Sequence, residues 1–496
     1  MVLGIEAHPI EVEVSSTRGP SFFQLVGLAE AAVREARVRV SSALAKFGVL
    51  IDEYAITVNL APADLRKTGA ALDVAIAAAV LGAVGRAPSG PLDEVLLLGE
   101  LALDGSVRPV RGLLPQLQSA QRRGFARAIV PAPNAREAGL VAGIDVRLAS
   151  TLSDVVAQLT DVRELPRPPR FEFSSAEVQA GYDLRDVKGQ VTAKRSLEIA
   201  AAGAHNVLMI GPPGSGKTML ARILPSLMPP LTFDEALECT AIHSVAGLLP
   251  TEQGVVQTRP FRAPHHSVSD VGLVGGGDVP RPGEVSLAHH GVLFLDELAE
   301  FRRTALEALR QPLEDGTVSI SRARGRAWFP ARPLVVGAVN PCPCGYAGHP
   351  TRACRCDVKL RKRYLSRLSG PLLDRLDIHV SVPAVEVRSL VASGKSESSA
   401  SVRARVLAAR ERQRKRSPLP NASLPLVALE RATELDAESR QLISRAVEQL
   451  GLSARAYGKI LKVARTIADL DAEEHVRAPH IAEAIQGRLL DRDIVG

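Results

Sequence analysis

The sequence predicts a multidomain α/β protein in which an α+β domain, an αβα sandwich and a helical domain follow one another. Three observations support this order. At 496 residues the chain is too long for one hydrophobic core. Strand and helix patterns alternate over the first 165 residues and again around the apolar run Val207 to Ile210. From Glu386 onward only helical periodicity remains.

We expect domains at residues 1–165, 181–385 and 386–496, with a linker at 166–180. The linker assignment rests on Pro166, Pro168 and Pro169, which lie among several charged residues. The alternating patterns in the first domain predict the following elements: a strand at Ile10–Val14, a helix at Ala29–Phe47, a strand at Tyr54–Leu60, helices at Asp73–Val84 and Leu113–Gly124, and a final strand at Ala128–Pro131.

The composition is that of a globular protein, with 46% hydrophobic and 23% charged residues. Lysine and arginine outnumber aspartate and glutamate by 61 to 54, an excess that is compatible with nucleic acid as a partner but does not establish it. Aromatic residues make up 3% of the chain, which argues against base stacking as the main mode of binding.

Two features bear on the compartment. Glu6, Glu11 and Glu13 interrupt the opening residues, so we expect no secretory leader. The most membrane-like stretch, Val74 to Gly85, is too short to span a bilayer. We therefore expect a cytoplasmic protein with no membrane association.

A glycine-rich segment at the centre of the chain matches the phosphate-loop pattern G-x-x-x-x-G-K-S/T between a buried strand and a helix. Glycines let backbone N–H groups converge on phosphate oxygens, and the helix adds its positive N-terminal end. A lysine reaches the β- and γ-phosphates, and a hydroxyl holds Mg²⁺. The segment is Gly211, Pro212, Pro213, Gly214, Ser215, Gly216, Lys217 and Thr218. It predicts a site for ATP and Mg²⁺.

A second buried run, Val292 to Leu295, ends in the carboxylates Asp296 and Glu297. Alone, this pattern is common at strand ends. Combined with a phosphate loop, it predicts that Asp296 orients Mg²⁺ and that Glu297 polarises the attacking water.

A third buried run, Leu334 to Val339, ends in Asn340. Together the three strands resemble the AAA+ family, and this resemblance implies three further roles. Asn340 would sense the γ-phosphate, rather than only cap the next turn. Arg375 would act as an arginine finger on the neighbouring subunit's nucleotide, with Arg367 in reserve and a local ion pair as the alternative. Arg455, which opens a lid helix, would contact the γ-phosphate.

Two insertions indicate which branch of the AAA+ family the chain resembles. The first, from Phe261 to Gly283, is rich in turn-forming residues, and the second, Glu314 to Phe329, reads as a β-hairpin with a basic tip. They resemble the helix-2-insert AAA+ clade of the magnesium-chelatase ATPase subunit and the MCM replicative helicases. The resemblance implies that the tip lines the pore of a ring and contacts the DNA backbone, unless it is only a solvated turn. Its basic residues are Arg322, Arg324 and Arg326.

Four cysteines cluster as two C-x-C pairs separated by nine residues: Cys342, Cys344, Cys354 and Cys356. Four thiolates suit tetrahedral Zn²⁺, although the spacing within each pair is shorter than in common zinc sites. His349 is a substitute ligand, and redox-active or merely free thiols are the alternatives. Cys239 stands apart as a core residue.

The chain also has two pairs of adjacent histidines, His265-His266 and His289-His290. Neighbours on a strand point to opposite faces, so we expect neither pair to form a bidentate metal site. A structural role is the expectation for both.

In the first domain, Gly99 to Leu113 resembles the proteolytic domain of Lon-type proteases, which use a Ser–Lys dyad. The segment Arg66 to Ala71 offers no serine, and Leu114 stands where the resemblance places the lysine. Without a hydroxyl nucleophile and an amine to take its proton, acyl transfer cannot start. A rival hypothesis makes Thr68 the nucleophile.

The C-terminal region opens with a basic helix, Ser401 to Arg416, which faces either DNA or solvent. Over nearly the whole chain, the sequence resembles the YifB/ComM family of magnesium-chelatase-like AAA+ proteins. The resemblance rests on the phosphate loop, the acidic strand, the two insertions, the helical lid (residues 386–496) and the Lon-like first domain. The resemblance implies a homo-hexameric ring that hydrolyses ATP and moves on DNA without sequence preference, promoting branch migration in recombination. The alternatives are a chelatase ATPase subunit acting on a protein or porphyrin partner, and a Lon-type protease.

Overall fold

The computed structural model describes residues 1–28, 33, 35–65, 67, 69–88, 90–174, 181–250, 252–322, 325–384, 396–450 and 453–488. Thr68 and Arg324, two of the residues singled out above, lie outside this set. So do the side chain of Arg322 and part of the helix expected from Ala29.

The N-terminal domain combines small sheets with helices, as the sequence predicts. Its strands are β1 (Val2–Leu3), β2 (Glu6–Ala7), β3 (Glu11–Arg18), β4 (Phe22–Val26), β5 (Tyr54–Ala61), β6 (Val95–Leu97), β7 (Glu100–Leu101), β8 (Val107–Arg108), β9 (Arg127–Pro131) and β10 (Asp145–Ala149). Its helices are α1 (Ala36–Ala45), α2 (Asp73–Ala83), α3 (Leu113–Arg122), α4 (Ala135–Ala138) and α5 (Leu152–Leu159).

Two three-stranded sheets organise this domain. In one, β5 lies between antiparallel β3 and parallel β4; in the other, β9 lies between β10 and β6, all parallel. The expectation that β9 is the final strand was wrong, because β10 and α5 follow it. The charge of Arg147 interrupts the apolar pattern of β10. In the fold that charge is paired with Asp145 at 2.9 Å and with Glu164.

The central domain is built on one parallel five-stranded sheet. The described strands of the domain are β11 (Val207–Ile210), β12 (Phe261–Arg262), β13 (Gly275–Gly276), β14 (Arg281–Pro282), β15 (Val292–Leu295), β16 (Thr317–Arg322), β17 (Gly325–Pro330), β18 (Leu334–Val339) and β19 (Ile378–Ser381). The strands β13 and β14, and likewise β16 and β17, form separate antiparallel pairs. Its helices are α6 (Val191–Gly203), α7 (Lys217–Leu227), α8 (Phe233–Ala246), α9 (Asp270–Val274), α10 (Glu284–Leu287), α11 (Arg303–Ala308), α12 (Arg310–Asp315), α13 (Val358–Leu365) and α14 (Gly370–Leu373).

The order in this sheet is β12-β15-β18-β11-β19. Phe261 and Arg262, assigned from sequence to an insertion, instead form its edge strand next to β15. Residues of β15 and β18 are buried throughout, as expected for strands covered on both faces. Because all five strands are parallel, the segments after β12, β15, β18 and β11 meet at one edge.

The C-terminal region is helical, as predicted. It contains α15 (Ser399–Arg416), α16 (Leu426–Ala432), α17 (Ala437–Leu450), α18 (Ala454–Leu470) and α19 (Ala478–Gln486). Its apolar residues share one core cluster with α6, α7 and the central sheet. Just before β19, the buried Asp377 forms an ion pair of 2.8 Å with Lys459 of α18. This ion pair fixes α18 against the central domain.

The N-terminal and central domains share a small hydrophobic cluster. Leu114, at the start of α3, is fully buried there with Leu231, Ala236 and Cys239 of the central domain. Leu114 occupies the position where the Lon resemblance would place a catalytic lysine, so that position now serves packing between domains.

A buried carboxylate reinforces the same interface. Glu137 accepts a hydrogen bond from the backbone N–H of Leu114 at 2.8 Å and another from the hydroxyl of Ser244 on α8. The Ser244 hydroxyl in turn accepts from the backbone of Gly112 at 2.9 Å. Burial raises the pKa of Glu137, and these hydrogen bonds oppose that rise.

The segment expected to link the two domains has no helix or strand at residues 166–174. It is nonetheless fixed at both ends. The carbonyl of Pro166 accepts from the backbone of Leu148 in β10 at 2.9 Å, and the Phe173 ring packs 5.5 Å from that of Phe233 on α8. A separate observation concerns membranes: none of the helices in the described ranges has the length and apolar character needed to cross a bilayer.

We expect Leu114→Ala to destabilise the protein by about 2–5 kcal/mol, because it leaves a cavity in the shared cluster. Leu103→Ala is the matched control, since Leu103 is 60% exposed. Urea denaturation followed by circular dichroism measures both. Equal midpoints for the two variants would contradict the role of Leu114 in joining the domains.

Candidate functional site: a nucleotide site at the sheet edge

The phosphate loop lies between β11 and α7, at the carboxyl edge of the sheet. Gly214 and Gly216 have φ of +76° and +92°, a left-handed conformation that glycine adopts readily. At Gly211 a Cβ would lie 2.0 Å from the carbonyl oxygen of Val382, so a side chain is excluded there. The eleven-residue α7 begins at Lys217 and directs its positive end towards the loop.

Lys217 is buried within this loop. Its ammonium group donates to the carbonyl oxygens of Gly211 at 2.7 Å and Pro212 at 2.9 Å, and to Oδ1 of Asn340 at 3.2 Å. Burial lowers the pKa of Lys217, and the nearby carboxylates Asp296 and Glu297 oppose that shift. The structure therefore brings together the loop and Asn340, which the sequence placed 123 positions apart.

The acidic pair follows β15, two strands away from β11. The Thr218 hydroxyl donates to Oδ2 of Asp296 at 3.0 Å, so the two groups expected to hold Mg²⁺ are adjacent. Glu297 has a φ of 51°, an uncommon left-handed conformation for a residue with a side chain. Its own N–H donates to Oδ1 of Asp296 at 2.9 Å, and its carboxylate is about half exposed (51%). The donor set fits a nucleotide with Mg²⁺: an ammonium, a hydroxyl and a carboxylate converge beside a loop of backbone N–H groups.

A histidine of the first insertion contacts the catalytic candidate Glu297. His266 follows β12, and its Nδ1 lies 3.2 Å from Oε2 of Glu297. The His266 ring packs 4.0 Å from the His265 ring and edge-on to Phe301 at 6.5 Å. Sequence reasoning gave His266 only a structural role. No signal in the sequence marks this contact, because Phe261 and Arg262 were assigned to an insertion and only the fold pairs them with β15.

The arginine-finger candidates differ in their surroundings. Arg375 pairs with Glu314 and donates from Nη1 to the carbonyl of Pro371 at 2.9 Å, with its side chain only 13% exposed. Arg367 pairs with Glu300 at 2.9 Å and is 56% exposed. Within one subunit Arg375 is thus held in a local ion pair, although with Glu314 and not with the neighbouring aspartates considered from sequence. Its action on a neighbouring subunit stays a prediction.

Arg455 lies in the first turn of α18 and is exposed. The preceding Ser453 caps this helix, its hydroxyl accepting from the backbone of Ala456 at 3.2 Å. Contact between Arg455 and a nucleotide stays a prediction as well.

The basic hairpin forms as predicted from β16 and β17. Its inner face is buried in the same cluster as β15 and β18, through Val318, Ile320, Ala327 and Phe329. Its outer face carries Arg326, which donates to the Ser319 hydroxyl at 3.2 Å, and Trp328, which is 38% exposed. Arg322 ends β16 and so lies at the tip with Gly325 opposite, whereas the position of Arg324 is not described.

The basic helix α15 is largely engaged within the protein. Arg405 pairs with Glu198 at 2.6 Å, Arg412 donates to the carbonyl of Asp469 at 2.9 Å, and Arg416 pairs with the Asp469 carboxylate at 2.5 Å. These contacts join the lid to itself and to α6. Of the two alternatives for this helix, DNA and solvent, neither accounts for these three arginines.

The four clustered cysteines come together in the fold. The sulfur of Cys342 lies 3.4 Å from that of Cys344 and 3.6 Å from that of Cys354. Cys344 and Cys354 are also 3.6 Å apart, and Cys356 completes a group whose sulfurs all lie within 4.8 Å. His349, the substitute ligand, accepts instead from the backbone of Arg352 at 3.1 Å through Nδ1.

The expected geometry of the histidine pairs was wrong. His289 and His290 lie in a turn after α10, not on a strand, and His290 has a φ of 54°. Their rings are 3.9 Å apart, and both Nε2 atoms lie at 2.7 and 3.0 Å from one carboxylate oxygen of Glu238. The backbone N–H of Arg332 donates to Nδ1 of His289 at 3.0 Å. Neutral His289 therefore carries its proton on Nε2 and donates to Glu238, which disfavours that nitrogen as a metal ligand.

The electrostatics of this triad agree with a structural role. Burial lowers the pKa of His289 to about 4, so the ring is neutral near pH 7. The two hydrogen bonds from the histidines hold the pKa of Glu238 well below its usual range.

A phosphate loop, an acidic pair and a polar strand end at one edge of a parallel sheet, followed by a helical domain, define an AAA+ ATPase. Residues 183–390 match the family described as magnesium chelatase, subunit ChlI, and residues 396–488 match the C-terminal family of that subunit. Residues 10–134 match the family described as subunit ChlI of Mg-chelatase.

Individual relatives narrow the class. The chain is 44% identical over 495 residues to YifB of Salmonella typhimurium and 45% identical over 497 residues to competence protein ComM of Haemophilus influenzae. Each alignment covers 99% of this chain and 96% of the relative. A magnesium-chelatase 67 kDa subunit of Heliobacterium mobile is 28% identical over 194 residues, which is 34% of this chain and 29% of that protein. The chain belongs to the YifB/ComM family of magnesium-chelatase-like AAA+ ATPases, for which ATP and Mg²⁺ are the implied cofactors.

Two variants separate nucleotide binding from hydrolysis. We expect Lys217→Ala to weaken ATP affinity by about 10- to 100-fold, because a charged hydrogen-bond donor is lost. We expect Glu297→Gln to bind ATP normally but to lower turnover by about 10²- to 10⁴-fold, because the amide cannot accept a proton from water. Fluorescent-nucleotide titration and phosphate release measure the two effects, with the exposed Lys415→Ala as the control. Parental turnover in Glu297→Gln would contradict the assignment of the base.

Proposed function

We propose that this protein is a ring-forming, ATP-driven motor that acts on DNA. The family resemblance implies that the ring is a homo-hexamer. The observation that carries the proposal is the hairpin formed by β16 and β17. Its inner face packs in the same cluster as β15, which bears Asp296 and Glu297, while its outer face presents Arg326 and Trp328 to solvent. A change at the nucleotide site thus has a short, packed route to an exposed basic surface.

The first insertion also supports this proposal. His266 contacts the Glu297 carboxylate directly, so a movement of Glu297 would be felt by the insertion. Both insertions of the central domain therefore connect to the hydrolytic site, the second by packing against β15 and the first by a side-chain contact with Glu297.

The division of labour among the residues follows from their chemistry. Backbone N–H groups of the phosphate loop and the Lys217 ammonium bind the phosphates. Mg²⁺ neutralises charge on the phosphate oxygens when bound. Glu297 holds the attacking water and takes its proton. Asn340, which is hydrogen-bonded to Lys217, positions the γ-phosphate. An arginine from a neighbouring subunit, Arg375 or Arg367, would complete the site, which is why a ring of subunits is part of the proposal.

The biological role proposed is branch migration or a related helicase-type step in recombination or natural transformation. The name of one relative, competence protein ComM, supports the link to natural transformation, whereas branch migration rests on the family resemblance alone. A chelatase-type ATPase subunit is the second candidate, because three matched families carry the magnesium-chelatase description. That candidate predicts ATPase activity that responds to a protein or porphyrin partner and ignores DNA.

We also propose that Cys342, Cys344, Cys354 and Cys356 hold a structural Zn²⁺. With Zn–S bonds of about 2.3 Å, the edge of a regular tetrahedron of sulfurs is about 3.8 Å. The three sulfur–sulfur distances of 3.4, 3.6 and 3.6 Å are close to that value. Four thiolates leave no open position on the metal, so its role would be to hold the loop together and not to bind substrate.

DNA binding is tested through the hairpin. Trp328 is the only tryptophan of the chain, so quenching of intrinsic fluorescence by an oligonucleotide reports on this surface. We expect forked or single-stranded DNA to quench it and to raise ATPase activity. Arg326→Ala should lower the salt dependence of DNA affinity by about one unit of slope, because one phosphate contact is lost.

The exposed lid residue Arg445 provides the matched control, since Arg445→Ala removes the same charge far along the chain from the hairpin. An unchanged slope in Arg326→Ala would remove the hairpin from the DNA path. ATPase activity that no DNA stimulates, in a protein that stays monomeric with nucleotide, would overturn the motor proposal in favour of the second candidate.

The zinc assignment is tested by metal analysis. We expect one zinc per chain in the purified protein, and loss of that zinc in Cys354→Ser, because a hydroxyl is a poor ligand for Zn²⁺. Cys239→Ser is the control, since Cys239 lies apart from the cluster and its sulfur donates to the carbonyl of His289 at 3.1 Å. A metal-free parental protein would contradict the assignment.

A further inference from the structure

The cysteine cluster touches the nucleotide site. Gly345, which follows Cys344, has a φ of +81°, and a Cβ placed there would lie 2.5 Å from Cδ and 2.7 Å from Cγ of Pro213. Pro213 belongs to the phosphate loop. The backbone of Gly345 therefore packs directly on the Pro213 ring, with no room for a side chain between them.

The contact is consequential because of the residue that receives it. Cδ of proline is bonded to its own backbone nitrogen, so a push on the Pro213 ring displaces the phosphate loop itself. The next two glycine positions of that loop are open: a Cβ at Gly214 or Gly216 would meet no atom within 4 Å. At these two positions the loop is not packed against the rest of the protein, whereas at Pro213 Gly345 supports it.

The cysteines determine where Gly345 lies. The N–H of Gly345 donates to the carbonyl of Cys342 at 2.9 Å, which closes a tight turn between two cluster members. On the other side, Arg361 of α13 donates to the carbonyl of Cys356 at 3.1 Å and ties the far pair to a helix. Cys342 also follows Asn340 by two residues, so the same turn fixes the strand end that contacts Lys217.

We propose that the metal-held cysteine loop is a support for the phosphate loop: it keeps Gly345 against Pro213, and zinc occupancy thereby sets the affinity for nucleotide. This inference rests on the proposed zinc site. Gly345 acts as a positioning residue, since it touches Pro213 and not the nucleotide.

Two glycine variants isolate the contact. Gly345 and Gly348 both have left-handed backbones, with φ of +81° and +72°, so alanine strains each similarly. Only at Gly345 does the added Cβ meet Pro213; at Gly348 it meets nothing within 4 Å. We expect Gly345→Ala to weaken ATP affinity by about tenfold, and Gly348→Ala to leave it within about twofold of the parental value. Both variants should retain one zinc per chain, and their thermal unfolding midpoints should be equal to each other.

Removal of the metal is the second arm. Stripping zinc from the full-length protein with a chelator should weaken binding of a fluorescent ATP analogue, and added Zn²⁺ should restore it. Co²⁺ in place of zinc should give the absorption bands of a tetrahedral thiolate site and support the same nucleotide affinity. Equal nucleotide affinity in the two glycine variants, or full affinity in the stripped protein, would overturn the support role.

The failures of the two proposals are distinguishable. If the purified parental protein contains no zinc, both the zinc site and the dependence of nucleotide affinity on zinc are contradicted. If the protein contains zinc but binds nucleotide equally well after the zinc is removed, only the support role is contradicted. Failure of the parental protein to bind ATP at all would instead contradict the nucleotide site.

Discussion

A buried ammonium group is the constraint around which the nucleotide site is arranged. Removing Lys217 from water is costly unless its donors find acceptors. The fold provides three, two from carbonyls of the phosphate loop and one from Asn340 at the end of the neighbouring strand. The loop conformation and the position of β18 relative to β11 are thereby linked through one side chain. Phosphate oxygens are stronger acceptors than these neutral groups, so the same arrangement is ready to exchange partners when nucleotide binds.

The nucleotide site was predictable from sequence because its determinants are local. An apolar strand, a glycine-rich turn and a helix start at Lys217 follow one another without a gap, and the acidic pair ends another apolar run. Each of these patterns fixes backbone geometry over a few residues. The parallel sheet then brings the carboxyl ends together, which places Asp296 beside Thr218.

Features that depend on distant partners were not predictable in the same way. The ion pair between Arg375 and Glu314 joins residues that are 61 positions apart, and no periodic pattern marks it. The strand β10 was missed because Arg147 looks like a surface residue until its partners Asp145 and Glu164 are known. The rule that strand neighbours point to opposite faces did not apply to His289 and His290, because both lie in a turn in which His290 has a left-handed backbone. In each case tertiary contacts outweighed the local signal.

The interface around Leu114 has a consequence for the chemistry that is open to the first domain. In a Lon-type protease the equivalent position must hold a polar amine near solvent, whereas here it is sealed in a cluster shared with the central domain. A single substitution back to lysine would place an unpaired charge in that cluster. A catalytic lysine at this position and the present packing between the two domains thus exclude each other.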